Sequence, residues 1–505
     1  MTYGRPGVYI SETLLPAPLP QGPSANAAGA VVAPLPQGPE TVTYITSWYQ
    51  FTSIFGGYNA SYPATFAIAT FFNNGGRELY VKRIMHSDAA AATVNIVTSG
   101  AETIATVTAK NRGAAGNNYF VSLSAGTVSD TYTLALYNTT PAGNVLLEQY
   151  QNIQFADHTQ SDYAETVINN ISSYIRISAT ASGTPVISAP YPLASGADGS
   201  AVVSGDYTSY ASTSASVWHE FDAVNRALVT FTPNLFLTLG SGTTTVINNA
   251  ISWAENNSSF YVSETAANLT VDAAITFAQG LTASSNVAVY YPNIYISDPV
   301  GRSTSALRLV GPSAAVAGLY LATDASKGVF KAPAGLSASL SGVISVERSF
   351  SSTDLDNLNT GLPSAGTGSV APINPIRQVP GAGLVVMGAR TLLQDGTSNR
   401  YVNMRRSLNY IEKRINAIAE GALFENNDDK LWSRLSGAIG TFLNEYRNQG
   451  GLAGATPGSS YYVLCDATNN TSTSIQNGIV NIQVGVALEY PAEFVVININ
   501  QMIAS

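Results

Sequence analysis

The stretch Thr13 to Pro23, TLLPAPLPQGP, carries prolines at 16, 18, 20 and 23. Each proline fixes φ and removes a backbone donor, so this run can enter neither a helix interior nor the middle of a sheet. Prolines recur at 34, 36 and 39, and the chain up to Pro39 is expected to resist helix and central strand alike. Immediately before the run, Gly4 to Glu12 (GRPGVYISE) reads as a strand centred on Val8, Tyr9 and Ile10, with Val8 and Ile10 on one side. Near the other end, Ala492 to Gln501 (AEFVVININQ) reads the same way. There Phe494, Val496 and Asn498 share one side, and Val495, Ile497 and Ile499 complete the run.

A strand with an unpaired edge recruits a partner. Terminal strands are commonly tied down inside their own subunit. The tether argues for a longer reach. About fifteen extended residues span about 50 Å, whereas a globule of this length has a radius of gyration of about 23 Å. The expectation is that both end strands cross to adjoining copies and add to their sheets.

The chain of 505 residues exceeds one ordinary core, which predicts roughly three domains. Hydrophobic residues make up 45% and charged residues only 11%, against about 25% in typical globular chains. Small polar residues must then cover the surface, as in large packed assemblies. Disorder is excluded by 17 Phe and 27 Tyr that need burial. A net charge of −9 provides no global field for nucleic acid. Cys465, the one cysteine, rules out an internal disulfide and suits a reducing compartment. No apolar h-region follows the start and no run of about 18 apolar residues occurs, so neither a signal peptide nor membrane insertion is expected.

Along the chain, Glu40 to Trp48 reads as a strand, Pro63 to Phe72 as a short apolar helix stopped by Asn73-Asn74-Gly75-Gly76, and Glu78 to Ile84 as a strand. Residues 87–188 are rich in Ala, Thr, Ser and Val, with alternating runs at Tyr119 to Leu123 and Thr131 to Leu136, and predict an all-β insertion, a sandwich. From about Asp206 to Pro333, strand candidates at Val287 to Tyr291 and Asn293 to Ile296 alternate with helical segments such as Ala314 to Thr323, which suggests an α/β layer. Arg400 to Glu420 sets Leu408, Ile411, Ile415 and Ile418 on one helical face. A second helix follows, with Asn427 as its expected cap, Asp428 and Asp429 in its first turn, and Leu431, Leu435, Ile439, Phe442 and Tyr446 on its buried face. Tyr461 to Cys465, Gly478 to Val486 and Glu493 to Ile499 read as three strands.

Several separate blocks, in order, resemble the contractile phage tail sheath protein family. They are RPGVYISE near the start, FGGY (Phe55 to Tyr58), FFNNGGRELYVKRI (Phe71 to Ile84), TAKNRGAAGNN (Thr108 to Asn118) and AGLYLATDASKGVFKAPAG (Ala317 to Gly335). RYVNMRRSLNYIEKRI, FENNDDKLWSRL, LCDATNNTSTSIQNG and VGVALEYPAEFVVINI resemble its C-terminal domain. Asn426 departs from the proline that the family often has there. The resemblance implies an α/β and α+β multidomain chain. An N-terminal arm (1–25) leads into the first part of the core (26–86), then the sandwich insertion (87–190), a non-catalytic subtilisin-like α/β domain (191–380), and a C-terminal domain (381–505) whose sheet is completed by arms from adjoining subunits. It implies a helical homopolymer around a tail tube protein, with baseplate and tail terminator proteins as further partners. It implies too that the polymer is assembled in the host cytoplasm, resides in the virion tail, and shortens to drive the tube through a cell envelope for genome ejection. No cofactor is implied.

Eight of the 23 Lys and Arg fall between residues 400 and 450. Arg405, Arg406, Lys413 and Arg414 lie on the polar side of the first helix. They form either a solvated face supported by pairs such as Arg405 with Glu412 or, on the family resemblance, a surface for an acidic stripe on the tube. Enzyme readings find little footing. His219 with Asp222 supplies two members of a hydrolase triad, but no G-x-S-x-G elbow accompanies them. No H-E-x-x-H, paired C-x-x-C, EF-hand loop or phosphate-binding G-x-x-x-x-G-K-[ST] occurs. Glu425 to Asp429 reads as an inter-helix turn rather than a cation site. Two alternatives remain: the sheath of a genome-free injection device, and a β-rich surface adhesin or receptor-binding protein using the Ser/Thr-rich insertion.

Overall fold

The computed structural model describes residues 28–187, 189–208, 218, 220–221, 234–301, 303 and 306–493. Its centre is a mixed sheet of eight strands. In order they are Gly383–Val386, Asn374–Val379, Val287–Tyr291, Phe260–Glu264, Leu235–Thr238, Ala28–Pro34, Glu78–Ile84 and Thr43–Ile45. The six inner strands pair in parallel, and the two edge strands are antiparallel.

Ala28–Pro34 corrects the expectation that the chain resists central strand up to Pro39. It lies deep in the sheet, pairing with Glu78–Ile84 on one side and Leu235–Thr238 on the other. The reason is local: AGAVVA contains no proline, and Pro34 enters only as the last residue, where a missing donor costs least.

Side chains alternate between two cores. Val31, Leu237, Val262 and Tyr290 face one, and Val32, Phe236, Tyr261 and Val289 the other. Both faces are covered, so these strands read as continuous apolar runs without polar alternation. The helices Trp48–Phe55, Ala64–Asn73 and Ser313–Lys327 close the first core. Thr244–Asn256 and Val271–Gln279 close the second. Fully buried aromatics such as Phe66 and Phe71 each contribute about 1.5–3 kcal/mol.

Ala64–Asn73 and Ser313–Lys327 pack very closely. A Cβ on Gly318 would sit 2.2 Å from the Phe71 carbonyl oxygen, so only glycine fits at this crossing. Asn74 then ties the helix end to Ser341, accepting from its N–H at 2.8 Å and donating to its carbonyl at 3.2 Å.

The insertion is a two-sheet sandwich, and the helix Ala164–Ile171, whose Ala164 and Ile168 enter its core, corrects the all-β expectation. Tyr191–Pro192, Tyr119–Ala125, Tyr132–Thr140 and Gly143–Ile153 form one sheet, and Thr93–Val97, Thr103–Ala109 and Ile175–Ala179 the other. Their inner residues, among them Val107, Val121, Leu136 and Ile177, make a separate core. At its root Arg83 is fully buried and donates to the carbonyls of Leu35, Gly38 and Arg112 at 2.8–2.9 Å.

The C-terminal domain consists of the helices Val402–Glu420 and Asp429–Asn448 with the antiparallel pair Tyr461–Leu464 and Gln483–Val486. Leu431, Leu435, Ile439, Phe442 and Tyr446 are all buried, as their helical spacing predicts. The cap is displaced by one residue. Asp428 accepts from Lys430 N and Leu431 N, while Asn427 is drawn aside to the Trp432 indole N–H and the Ile479 carbonyl. Among the described residues no helix is long and apolar enough to cross a membrane.

Candidate functional site

The four basic candidates of the first C-terminal helix do not form one solvated face. Arg406 points inward. Its Nη1 and Nη2 donate to the two carboxylate oxygens of Asp324 at 3.0 and 2.5 Å, and its guanidinium lies 4.7 Å from the centre of the Tyr320 ring. The two side chains are 3% and 4% exposed, so this is a buried ion pair joining the α/β and C-terminal domains. Burial pushes the Asp324 carboxyl above its usual range, and Arg406 opposes that rise. Burial also works against the charged guanidinium, but Asp324 outweighs it and Arg406 keeps its proton.

Lys413 also turns inward and donates to Asn234 Oδ1 at 2.8 Å. Burial pulls its ammonium group down to about 7, although Glu412 supports the charge; Arg406 adds to the fall. Arg405 donates to Asn409 at 2.7 Å and pairs with Glu412 at 2.6 Å, the partner its sequence position suggests. Arg414 lies over the Phe442 ring at 5.6 Å. The single-face reading is therefore corrected for Arg406 and Lys413. Their partners Asp324 and Asn234 lie far away in sequence, which helical spacing cannot reveal.

The C-terminal pair of strands is only partly covered. Tyr461, Val463, Val484 and Val486 pack against the helices but remain partly exposed, and Tyr462 is 53% exposed on the other side. Among the described residues this sheet has two strands, so each keeps an open edge. A lone two-stranded ribbon is marginal in water and gains from further strands. The end-strand candidates Val8, Tyr9 and Ile10, and Phe494 to Ile499, lie outside the described residues, as do His219 and Asp222.

The segment leading to Phe494 is well placed. Glu493 receives two hydrogen bonds from Arg390, from Nε and Nη2, both at 2.7 Å. Tyr401 donates to the same carboxylate at 3.4 Å. The inter-helix turn shows a feature that periodicity does not signal. Leu423 and Phe424 project into solvent, and Phe424 holds a φ of 65°, rare for a bulky residue. Elsewhere His86 meets Asp206 at 3.0 Å, with no nucleophile in the pair. Among the described residues no group of His, Cys, Asp and Glu could hold a metal ion.

Residues 394–502 match the family model described as the phage tail sheath C-terminal domain. That match covers the C-terminal fifth of the chain. The tail sheath protein of Vibrio phage KVP40 is 32% identical over 103 residues, 20% of this chain. That match spans only 14% of the phage protein. Solved structures share the fold over nearly the whole length. A sheath tail protein from Listeria innocua has a TM-score of 0.62 at 14% identity, covering 92% of this chain and 96% of that one. The contracted sheath complex of an extracellular contractile injection system, PVC, gives 0.57 at 20% identity, covering 100% and 99%. A chain of the anti-feeding prophage baseplate gives 0.57 at 22%, covering 99% and 100%.

Proposed function

We propose that this chain is the structural subunit of a contractile tail sheath, polymerising helically around a tail tube and shortening to drive the tube through a target envelope. The observation that carries this reading is the sheath C-terminal domain at 394–502 within a fold shared end to end with sheath proteins. The partners are further copies of itself, the tube protein, and baseplate and terminator proteins. Its place is the virion tail, after assembly in the host cytoplasm. It uses no cofactor, nucleic acid or membrane insertion. The eight-stranded domain is a subtilisin-like scaffold without proteolytic machinery, and the work of contraction comes from the free-energy difference between two packings of the same subunit.

The strands around Val8–Ile10 and Phe494–Ile499 act as arms between subunits. The half-covered pair Tyr461–Leu464 and Gln483–Val486 supports this, because its open edges suit added strands. A five-residue arm gains several ladder bonds of about 1 kcal/mol each, before the entropy of ordering it. The tube contact belongs to the C-terminal domain. Arg405 and Arg414 keep part of their surface, and Lys430 and Arg434 of the second helix in the same domain are exposed. Exposed ion pairs of about 0–1 kcal/mol each permit release on contraction.

The test is electron microscopy of the purified protein with and without residues 1–12. Hollow cylinders from the full chain, and folded but unassembled subunits from the deletion, are expected. Unaltered cylinders from the deletion would overturn the arm reading. Since neighbours in fold include an extracellular contractile injection system, a genome-free device is the second reading, and gene neighbourhood separates the two.

A further inference from the structure

We propose that Arg390 and Glu493 form a clamp that fixes the root of the C-terminal arm and aims it at the adjoining subunit; this rests on the arm reading above. Arg390 is itself rigidly held. Its N–H donates to Asn374 Oδ1 at 2.8 Å, its backbone bridges to Tyr401, and Nη1 donates to the Asn359 carbonyl at 2.9 Å. That leaves Nε and Nη2 for the Glu493 carboxylate, both at 2.7 Å. The side chains are 17% and 24% exposed, so the pair is partly shielded from solvent. A two-pronged guanidinium–carboxylate contact fixes direction as well as distance, which a lysine could not do.

The preceding residues are anchored too. Asn403 donates to the Glu489 carbonyl at 3.5 Å and to the Phe330 carbonyl at 3.0 Å. Tyr490 meets Tyr401 edge-on, with ring centres 6.3 Å apart. Residues 489–493 thus form part of the wall of a groove of about 470 Å³, together with Phe330, Met387 and Tyr401. The groove joins the α/β domain to the first C-terminal helix. The arm candidates Phe494 to Ile499 begin at the very next residue.

An arm held at its root searches a smaller volume and presents its strand at a higher effective concentration. Part of the ordering entropy is then spent before association rather than during it. Arg390 and Glu493 are positioning residues: they act through the arm.

The experiment uses the full chain and three variants: Glu493→Gln, Arg390→Met and a deletion of residues 494–505. Hydrogen exchange of the unassembled subunit reads the root, and the threshold concentration for cylinder formation reads assembly. Both substitutions are expected to speed exchange across 489–493 and to raise the threshold by about tenfold, with exchange in the eight-stranded sheet unchanged. A simple fold defect would instead accelerate exchange in that sheet. Glu493→Gln alters a less embedded side chain and serves as the measurement if Arg390→Met does not fold. Thresholds within about twofold of the parent for the substitutions, with the deletion unable to assemble, would overturn the clamp and leave the arm reading standing. A deletion that assembles normally would end the arm reading and the clamp with it.

Discussion

Arg406→Met should undock the C-terminal domain, because it strands a charge. Arg406 and Asp324 are 82 positions apart, 3% and 4% exposed, and joined by two hydrogen bonds. Methionine keeps the length of the stem but leaves the Asp324 carboxylate buried without a counter-charge. Such breakage costs about 3–5 kcal/mol, whereas replacing both members by apolar residues is often close to neutral. The double variant Arg406→Met/Asp324→Leu should therefore recover most of the loss, a coupling that a double-mutant cycle measures.

The pH dependence follows from the Asp324 carboxyl. Burial already raises it, and removing Arg406 removes the pull that opposes the rise. A carboxyl whose folded pKa exceeds its unfolded value takes up a proton on folding. Its stability contribution therefore falls as pH rises through the window between the two values. The Arg406→Met variant should be penalised least at the acid end and most near neutrality. Urea unfolding combined with hydrogen exchange of residues 402–420 distinguishes local undocking from global unfolding. Single-variant costs under about 1 kcal/mol, or a double variant as damaged as the sum, would refute the reasoning.

Three further outcomes are expected. Gly318→Ala should destabilise the subunit by at least about 1–3 kcal/mol, seen as a lower urea midpoint, since its Cβ meets a backbone oxygen that cannot swing aside. Asp428→Ala should cost about 1 kcal/mol by the same measurement, through loss of the cap on Lys430 N and Leu431 N. Cys465 is 5% exposed and burial raises its thiol pKa, so a thiol reagent should label it only as the C-terminal domain opens.

Legibility varied with the range of the deciding contact. The buried face of the second C-terminal helix, from Leu431 to Tyr446, follows from spacing alone, because one-sided burial imposes the helical period on the sequence. The cap did not. Asn427 and Asp428 are both competent, and the choice fell to Asp428 because Trp432 and Ile479 engage Asn427. Ala28–Pro34 was obscured by neighbouring prolines, and its place beside Glu78–Ile84 and Leu235–Thr238 depends on strands far along the chain. The clamp at Glu493 needed Arg390, 103 positions earlier, to be brought alongside.

By itself the sequence determined the local periods, the helix faces, the strand-rich character of the insertion and the blocks that resemble sheath proteins, since each is written in neighbouring residues; the helix Ala164–Ile171 inside the insertion was not foreseen. Only the tertiary structure decided which charges face inward. Arg406 and Lys413 look like surface residues on their own helix, and Arg406 becomes buried and Lys413 partly so because Asp324 and Asn234 arrive from another domain to receive them. The physical reason is that burial of a charge is set by its partner, and a partner distant in sequence leaves no trace in the pattern around the residue it meets.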